Sequence, residues 1–325
     1  MMADNRSLLR LHVDEHSEGD ARYLVVHSLM SSLNTGMMEM SRWRISADVN
    51  LLWTAVDAIA ESYNGAPQTL REALVIESHA LFSSILEPPA VAQLATVGRS
   101  ASLLHVLSHV EWVPWELFRV RCEDGDSELL GELLPVIRLP IQRALPPTRT
   151  AQLEETVHVA HPSFVAQLRD SGVPAISVTS VGELAVKIRP ARFVHLFGHH
   201  DRHGLRLGES VFYDARAARA YGPSPGACVF LSACHSARAG AASSLAWELV
   251  RNHRCTVIAA PCAVPTTEAI RLAAAFHARL SANPSIAPSY VWQQMRRTPN
   301  LFADHPFAIC FFQYGSNDCD PQWQT

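Results

Sequence analysis

From Thr156 onward, short and nearly all-apolar runs alternate with stretches of helical spacing, and this rhythm constrains the fold more than any other feature of the chain. The runs are "TVHVA", "AISVTS", "RFVHLF", "CVFLS" and "TVIAA". Helical patterns lie between and after them, near Phe164 to Asp170, Gly182 to Ile188, Asp214 to Ala220, Ser243 to Asn252 and Glu268 to Leu280. A strand that is apolar at almost every position is buried on both faces, and a helix between consecutive strands lets them run parallel. The expectation is an α/β fold built on a mostly parallel sheet flanked by helices.

The first 150 residues have a different rhythm. "SLLRLHV" and "YLVVHSLM" read as two strands of a hairpin or meander joined through Asp14 to Asp20. Helices are expected over 50–63 and over 67–86, the second with Leu70, Leu74, Leu81 and Ile85 on one face. "SLLHVLSHV" reads as a buried strand, "VPWELF" as a short aromatic element and "LLGELLPVIRLP" as a strand closed by prolines. "RALPPTRTAQLEET", at 143–156, is polar, contains proline and lacks periodicity, which places a boundary between an amino-terminal α/β region, 1–150, and a carboxy-terminal region, 151–325.

Bulk properties narrow the function classes. With 27 basic and 31 acidic residues the formal charge is −4, which argues against a nucleic-acid partner. The seven cysteines show neither a CxxC pair nor disulfide-like spacing, so a reducing compartment is expected. The N-terminus does not read as a leader and no apolar stretch is long enough to span a bilayer, so the expectation is a cytoplasmic protein without a membrane partner.

Two strand ends carry the reactive chemistry. "HLFGHH", 195–200, closes one apolar run, and "LSACHSA", 231–237, closes the next. In an open parallel sheet ligands collect outside the carboxyl ends of the strands, and neighbouring strands lie about 5 Å apart. His199 and Cys234 are therefore expected on one rim. An imidazole can take the thiol proton and return it to a leaving amine, and a helix beginning just after Cys234 would favour the thiolate. The N–H of Cys234, with that of His200 or Gly198, is the expected oxyanion donor set. Gly198 is expected to relax the backbone where His199 turns toward the sulfur.

"FVHLFGHH" and "VFLSACHSA" together resemble the two motifs of CHAT-domain proteins, a branch of the caspase-like (clan CD) cysteine peptidases related to separase. "VPWELF", "TVIAAPCAVP" and "HPFAICFFQYG" resemble accessory elements of the same family, so the likeness covers about residues 70 to 315. It implies a caspase-like sheet with a non-catalytic amino-terminal half packed against it. It also implies a cofactor-free endopeptidase with His199 as acid and base, Cys234 as nucleophile and a protein as substrate. His195 would be structural. With no sensor module recognisable in the sequence, control by a separate regulatory protein, in a bacterial defence or programmed-death system, is the expectation. The chain departs from the family pattern at His200, where glycine is usual, and at Cys262 and Thr266. A positive φ at His200 would be costly. Metacaspases of the same clan carry Asp two residues before the nucleophile, to hold a basic substrate side chain; here Ser232 stands in that place. Ser232 is thus the candidate substrate-binding residue, and a small or apolar residue is expected before the cut. A basic preference would need an acid from elsewhere, with Asp201, Glu209, Asp214 and Glu268 as candidates.

Two other readings compete. His195, His199, His200 and His203, with Cys234, could supply zinc ligands. On an extended strand, however, residues 195 and 199 stand about 13 Å apart, so no metal is expected. A catalytically silent scaffold would keep the fold for protein contacts alone. Trp115 and Glu116 read as a packing anchor and a buried hydrogen-bonding acid, and Cys228, Cys255 and Cys310 as core. Trp247 and Glu248 fall on a helix near the site, Cys319 falls in a polar tail, and "CEDGDSE" reads as a solvated turn.

Overall fold

The computed structural model describes residues 8–18, 21–32, 36–46, 67–86, 103–108, 113–121, 127–140, 155–201, 204–237, 244–298 and 301–315, with isolated positions between 54 and 101. The turn at 122–126, most of the 50–63 helix, most of the 143–156 boundary, and Cys122, His203 and Cys319 lie outside the described residues. The chain divides into two compact units. One comprises Met1–Ile141 with Arg296–Ile309, the other Gln142–Met295 with Cys310–Thr325. The division thus falls between 141 and 142, nine residues before the expected 150, and a carboxy-terminal segment joins the first unit.

In the first unit, β1 (Leu8–Glu18), β2 (Ala21–Ser32) and β3 (Gly36–Ser46) form an antiparallel meander, the second of the two expected arrangements, with β3 as a further strand. Parallel strands β4 (Leu103–Ser108) and β7 (Val136–Pro140) continue from β1, and β5 (Arg119–Arg121) and β6 (Ser127–Leu129) pair separately. Helix α1 (Pro67–Ile85) buries Leu70, Leu74, Ser78 and Phe82, a stripe at i, i+4, i+8 and i+12. Phe82 meets Trp115 and stands edge-on to Phe118 at 5.0 Å. "LLGELLPVIRLP" is not one strand. Leu130–Leu133 forms a helical turn, α2, because Glu132 accepts the Leu129 N–H at 2.8 Å, and β7 follows. Glu116 is fully buried in an ion pair with Arg138 of β7, whose Nη2 also donates to Val113 O at 2.8 Å. The "PWEL" acid is therefore a structural group of this unit.

In the second unit, β8 (Glu155–Ala160), β9 (Ala191–Phe197), β13 (Cys228–Ser232) and β14 (Thr256–Ala259) are parallel and β15 (Phe312–Tyr314) is antiparallel, in the order β15-β14-β13-β9-β8. "AISVTS" contributes only a bridge, from Ile176 to Val159. A small sheet, β10 (His199–Asp201), β11 (Gly204–Arg206) and β12 (Phe212–Tyr213), follows β9. The helices are α3 (Pro162–Asp170), α4 (Val181–Ile188), α5 (Ala215–Ala220), α6 (Leu245–His253), α7 (Thr266–Ala282) and α8 (Pro288–Arg296). Residues of both parities in β13 are buried, so both sheet faces are covered. On the face of Phe193 and Phe230, α7 packs Phe276 and α8 packs Trp292. The fold is α/β with a mostly parallel sheet flanked by helices. Among the described residues no helix is long and apolar enough to cross a membrane.

Candidate active site

Strands β9 and β13 are parallel neighbours in a register that sets Phe197 against Ser232, and Gly198 N–H donates to Ser232 O at 3.4 Å. A step of two residues from each of Phe197 and Ser232 reaches His199 and Cys234. The shared register thus brings both to one rim of the sheet. Gly198 is needed here for space rather than for backbone freedom. Its φ is not positive, but a Cβ would stand 2.3 Å from Arg206 O where the chain folds back into β11.

The two reactive side chains rest against different neighbours. His199 is exposed, and its ring packs on Phe164 at 4.8 Å and on His161 at 5.4 Å, both at the start of α3. His161 N–H donates to Phe197 O at 2.8 Å, which fixes this strand end beside the other. Cys234 is half-buried; its thiol donates to Val264 O at 3.6 Å and its sulfur accepts from Val264 N–H at 3.4 Å. Among the described residues no hydrogen bond joins His199 to Cys234.

Residues 234–237 form turns, and the next helix among the described residues, α6, begins at Leu245. His235 takes the left-handed conformation, φ 56°, its N–H bonds Cys262 O, and Ala237 N–H bonds Ala260 O, each at 3.1 Å. These bonds tie the turn to the end of β14. Of the expected oxyanion donors, Gly198 N–H is held by Ser232, while Cys234 N–H has no acceptor among the described residues. His200 sits in β10 opposite Leu205 without a positive φ, so glycine is not required there. Burial, and then the charge of His235, lowers its pKa, with Asp201 opposing.

Beneath the rim lies a cluster of histidines. Ser232, only 2% exposed, shares a 2.8 Å hydrogen bond with His195 Nε2; His195 Nδ1 meets His158 Nδ1 at 3.3 Å, and His277 of α7 stands edge-on to His158 at 4.6 Å. Burial lowers all three pKa values, that of His158 to about 3 and that of His195 well below the usual range. His195 is thus structural, and Ser232 is engaged below the surface. Among the described residues no group of three His, Cys, Asp or Glu could hold a metal ion.

Cys228, Cys255, Cys262 and Cys310 are buried, and burial pushes the Cys255 thiol up to about 12. Glu248 binds Arg219 and Asn252 and so has a structural role. Sequence reasoning overlooked His161, Phe164 and Val264. The first was open to the same rule that found His199, since it directly follows the apolar run of β8. In comparison with known proteins, no family model and no curated sequence matches the chain.

Proposed function

We propose that the chain is a cysteine endopeptidase in which Cys234 and His199 cleave a protein substrate. The observation that carries this reading is the β9–β13 register, which leaves the histidine and the half-buried cysteine two residues beyond paired positions. In the reaction His199 takes the thiol proton, the sulfur attacks the scissile carbonyl carbon, and the carbonyl electron pair moves to oxygen. Cys234 N–H and His200 N–H are the proposed donors to that oxyanion. Collapse breaks the C–N bond as His199 protonates the leaving amine. A water, deprotonated by His199, then hydrolyses the thioester and frees the thiol.

At rest the imidazole lies on Phe164 and the thiol on Val264, and proton transfer needs a direct bond between the two. A regulatory protein that remodels the rim, in a bacterial defence or programmed-death pathway, fits this need. The different resting partners of the two side chains favour a second reading, a caspase-like scaffold that binds partners without cleaving them. Co-expression with the products of neighbouring genes, followed by fragment mass spectrometry, separates the two. Cleavage lost in Cys234→Ala supports the peptidase; cleavage that persists removes Cys234 as nucleophile.

A further inference from the structure

Of the four acids close to the rim in sequence, three are accounted for. Asp214 caps α5, accepting Ala217 N–H at 2.6 Å, and Asp201 and Glu209 are exposed. Glu268 differs. It is 7% exposed, its Oε1 accepts from Arg271 Nη1 at 3.0 Å, and its buried Oε2 has no hydrogen-bond partner among the described residues. Arg271 itself is 55% exposed and reaches in from solvent.

A comparison within the chain explains the orphan oxygen. Glu268 is the third residue of α7, a position from which glutamate commonly reaches back to a free N–H at the helix start. Glu132 does so in α2, accepting Leu129 N–H at 2.8 Å, and Glu183 does so in α4, accepting Thr179 N–H at 2.8 Å. The residue before α7 is Pro265, which has no N–H to give, and the N–H of Val264, the counterpart of Thr179, is taken by the Cys234 sulfur. A helical side chain leans toward the preceding turn, over the residues three and four positions back. For Glu268 those are Pro265 and Val264, and Val264 is the residue whose backbone holds the Cys234 sulfur.

We infer that Glu268 Oε2 receives the cationic side chain of a basic residue, arginine or lysine, immediately before the scissile bond. The inference rests on the peptidase reading and replaces the expectation of a small or apolar residue drawn from Ser232. A guanidinium or ammonium N–H donates to the open oxygen and completes a buried carboxylate otherwise left half-paired, which is the condition under which charge-assisted bonds are strong.

The test measures alkylation of Cys234 by iodoacetamide in the full chain, with N-acetyl-argininamide, its neutral isostere N-acetyl-citrullinamide, or N-acetyl-leucinamide as protecting ligand. The expected result is protection by the arginine ligand at a concentration about tenfold below that of either neutral one. In Glu268→Gln, shown to be folded by its thermal transition, that advantage disappears. Equal protection by charged and neutral ligands, no protection by any, or an advantage retained in Glu268→Gln overturns the assignment. The citrulline comparison needs no variant, so a misfolded Glu268→Gln does not rescue it. Cys234-dependent cleavage after an apolar residue would overturn this inference and leave the peptidase standing; charge-selective protection without any Cys234-dependent cleavage would do the reverse.

Discussion

His195 Nε2 and Ser232 Oγ lie 2.8 Å apart beneath the sheet rim, joining strands β9 and β13 through their side chains two residues before Cys234. Serine in that place lets the neighbouring strand hold the base of the nucleophile turn, because a hydroxyl can bond a neutral imidazole in a site too buried for an ion. Ser232→Ala strands His195 Nε2 as an unpaired polar group. The expected loss is about 1–3 kcal/mol of stability, read from urea unfolding, with Ser232→Thr retaining more of it than Ser232→Ala. Equal stability of the alanine variant and wild type would show that the hydrogen bond contributes nothing net.

The histidine stack makes stability depend on pH in a defined direction. His158 and His195 are neutral in the folded chain, their pKa values lowered by burial, whereas in the unfolded chain each titrates near its ordinary value. Below about pH 6.5 the unfolded state therefore binds protons that the folded state does not. Their contribution is complete above that pH and is lost progressively toward about pH 3, where His158 itself titrates. Between pH 6 and 5, ahead of most carboxylates, each is expected to contribute a slope of roughly 1 kcal/mol per pH unit. Urea midpoints at pH 7, 6 and 5 measure it, and His158→Phe is expected to flatten the slope.

Cysteine reactivity should be confined to one position among the described thiols. Cys234 is half-buried and accepts a backbone N–H, while Cys228 and Cys255 are fully buried with pKa values raised by burial. Peptide mapping after brief native treatment with iodoacetamide is expected to find Cys234 modified at least about tenfold faster than Cys228 or Cys255. Comparable rates would mean that the sheet opens easily to solvent.

Much of the rim was legible in the sequence because parallel strands buried on both faces write themselves as unbroken apolar runs. "RFVHLF" and "CVFLS" became β9 and β13 within a residue of the expected ends, and their ends located His199 and Cys234. The reason for Gly198 was not legible, since the obstructing Arg206 carbonyl arrives only when the chain doubles back. Nor was the stack of His158, His195 and His277, which depends on how α7 lies over the sheet. β3 was overlooked, and "AISVTS" has a strand-like composition but forms one bridge. In "LLGELLPVIRLP" the local bond from Leu129 to Glu132 overrides the apolar pattern with a helical turn.

Gly198→Ala provides a direct check on that crowding. The added Cβ would stand 2.3 Å from a backbone oxygen, which has no rotamer by which to move aside. The β9 end or the β10–β11 hairpin must shift, at an expected cost of about 1–3 kcal/mol in thermal or urea unfolding. The same variant is expected to displace His199 and lower Cys234-dependent cleavage. A stable and fully active Gly198→Ala would show that the hairpin yields freely.

The first unit offers a separate test of the "PWEL" acid. Glu116 and Arg138 are both buried, and the arginine also holds Val113 O, so removal of Arg138 takes the ion-pair partner from a buried carboxylate. Arg138→Met is expected to cost about 3–5 kcal/mol, while the double variant Glu116→Gln, Arg138→Met recovers a substantial part of that loss, because a buried ion pair is more costly to break than to replace. A catalytic role for Glu116 predicts something different: Glu116→Gln would abolish cleavage while Arg138→Met, if folded, would spare it. Double-mutant unfolding combined with cleavage of the same substrate distinguishes these outcomes. If the two single variants lose stability together and retain per-molecule cleavage while folded, the acid acts through packing of its own unit, as its zero exposure and its bidentate partner require.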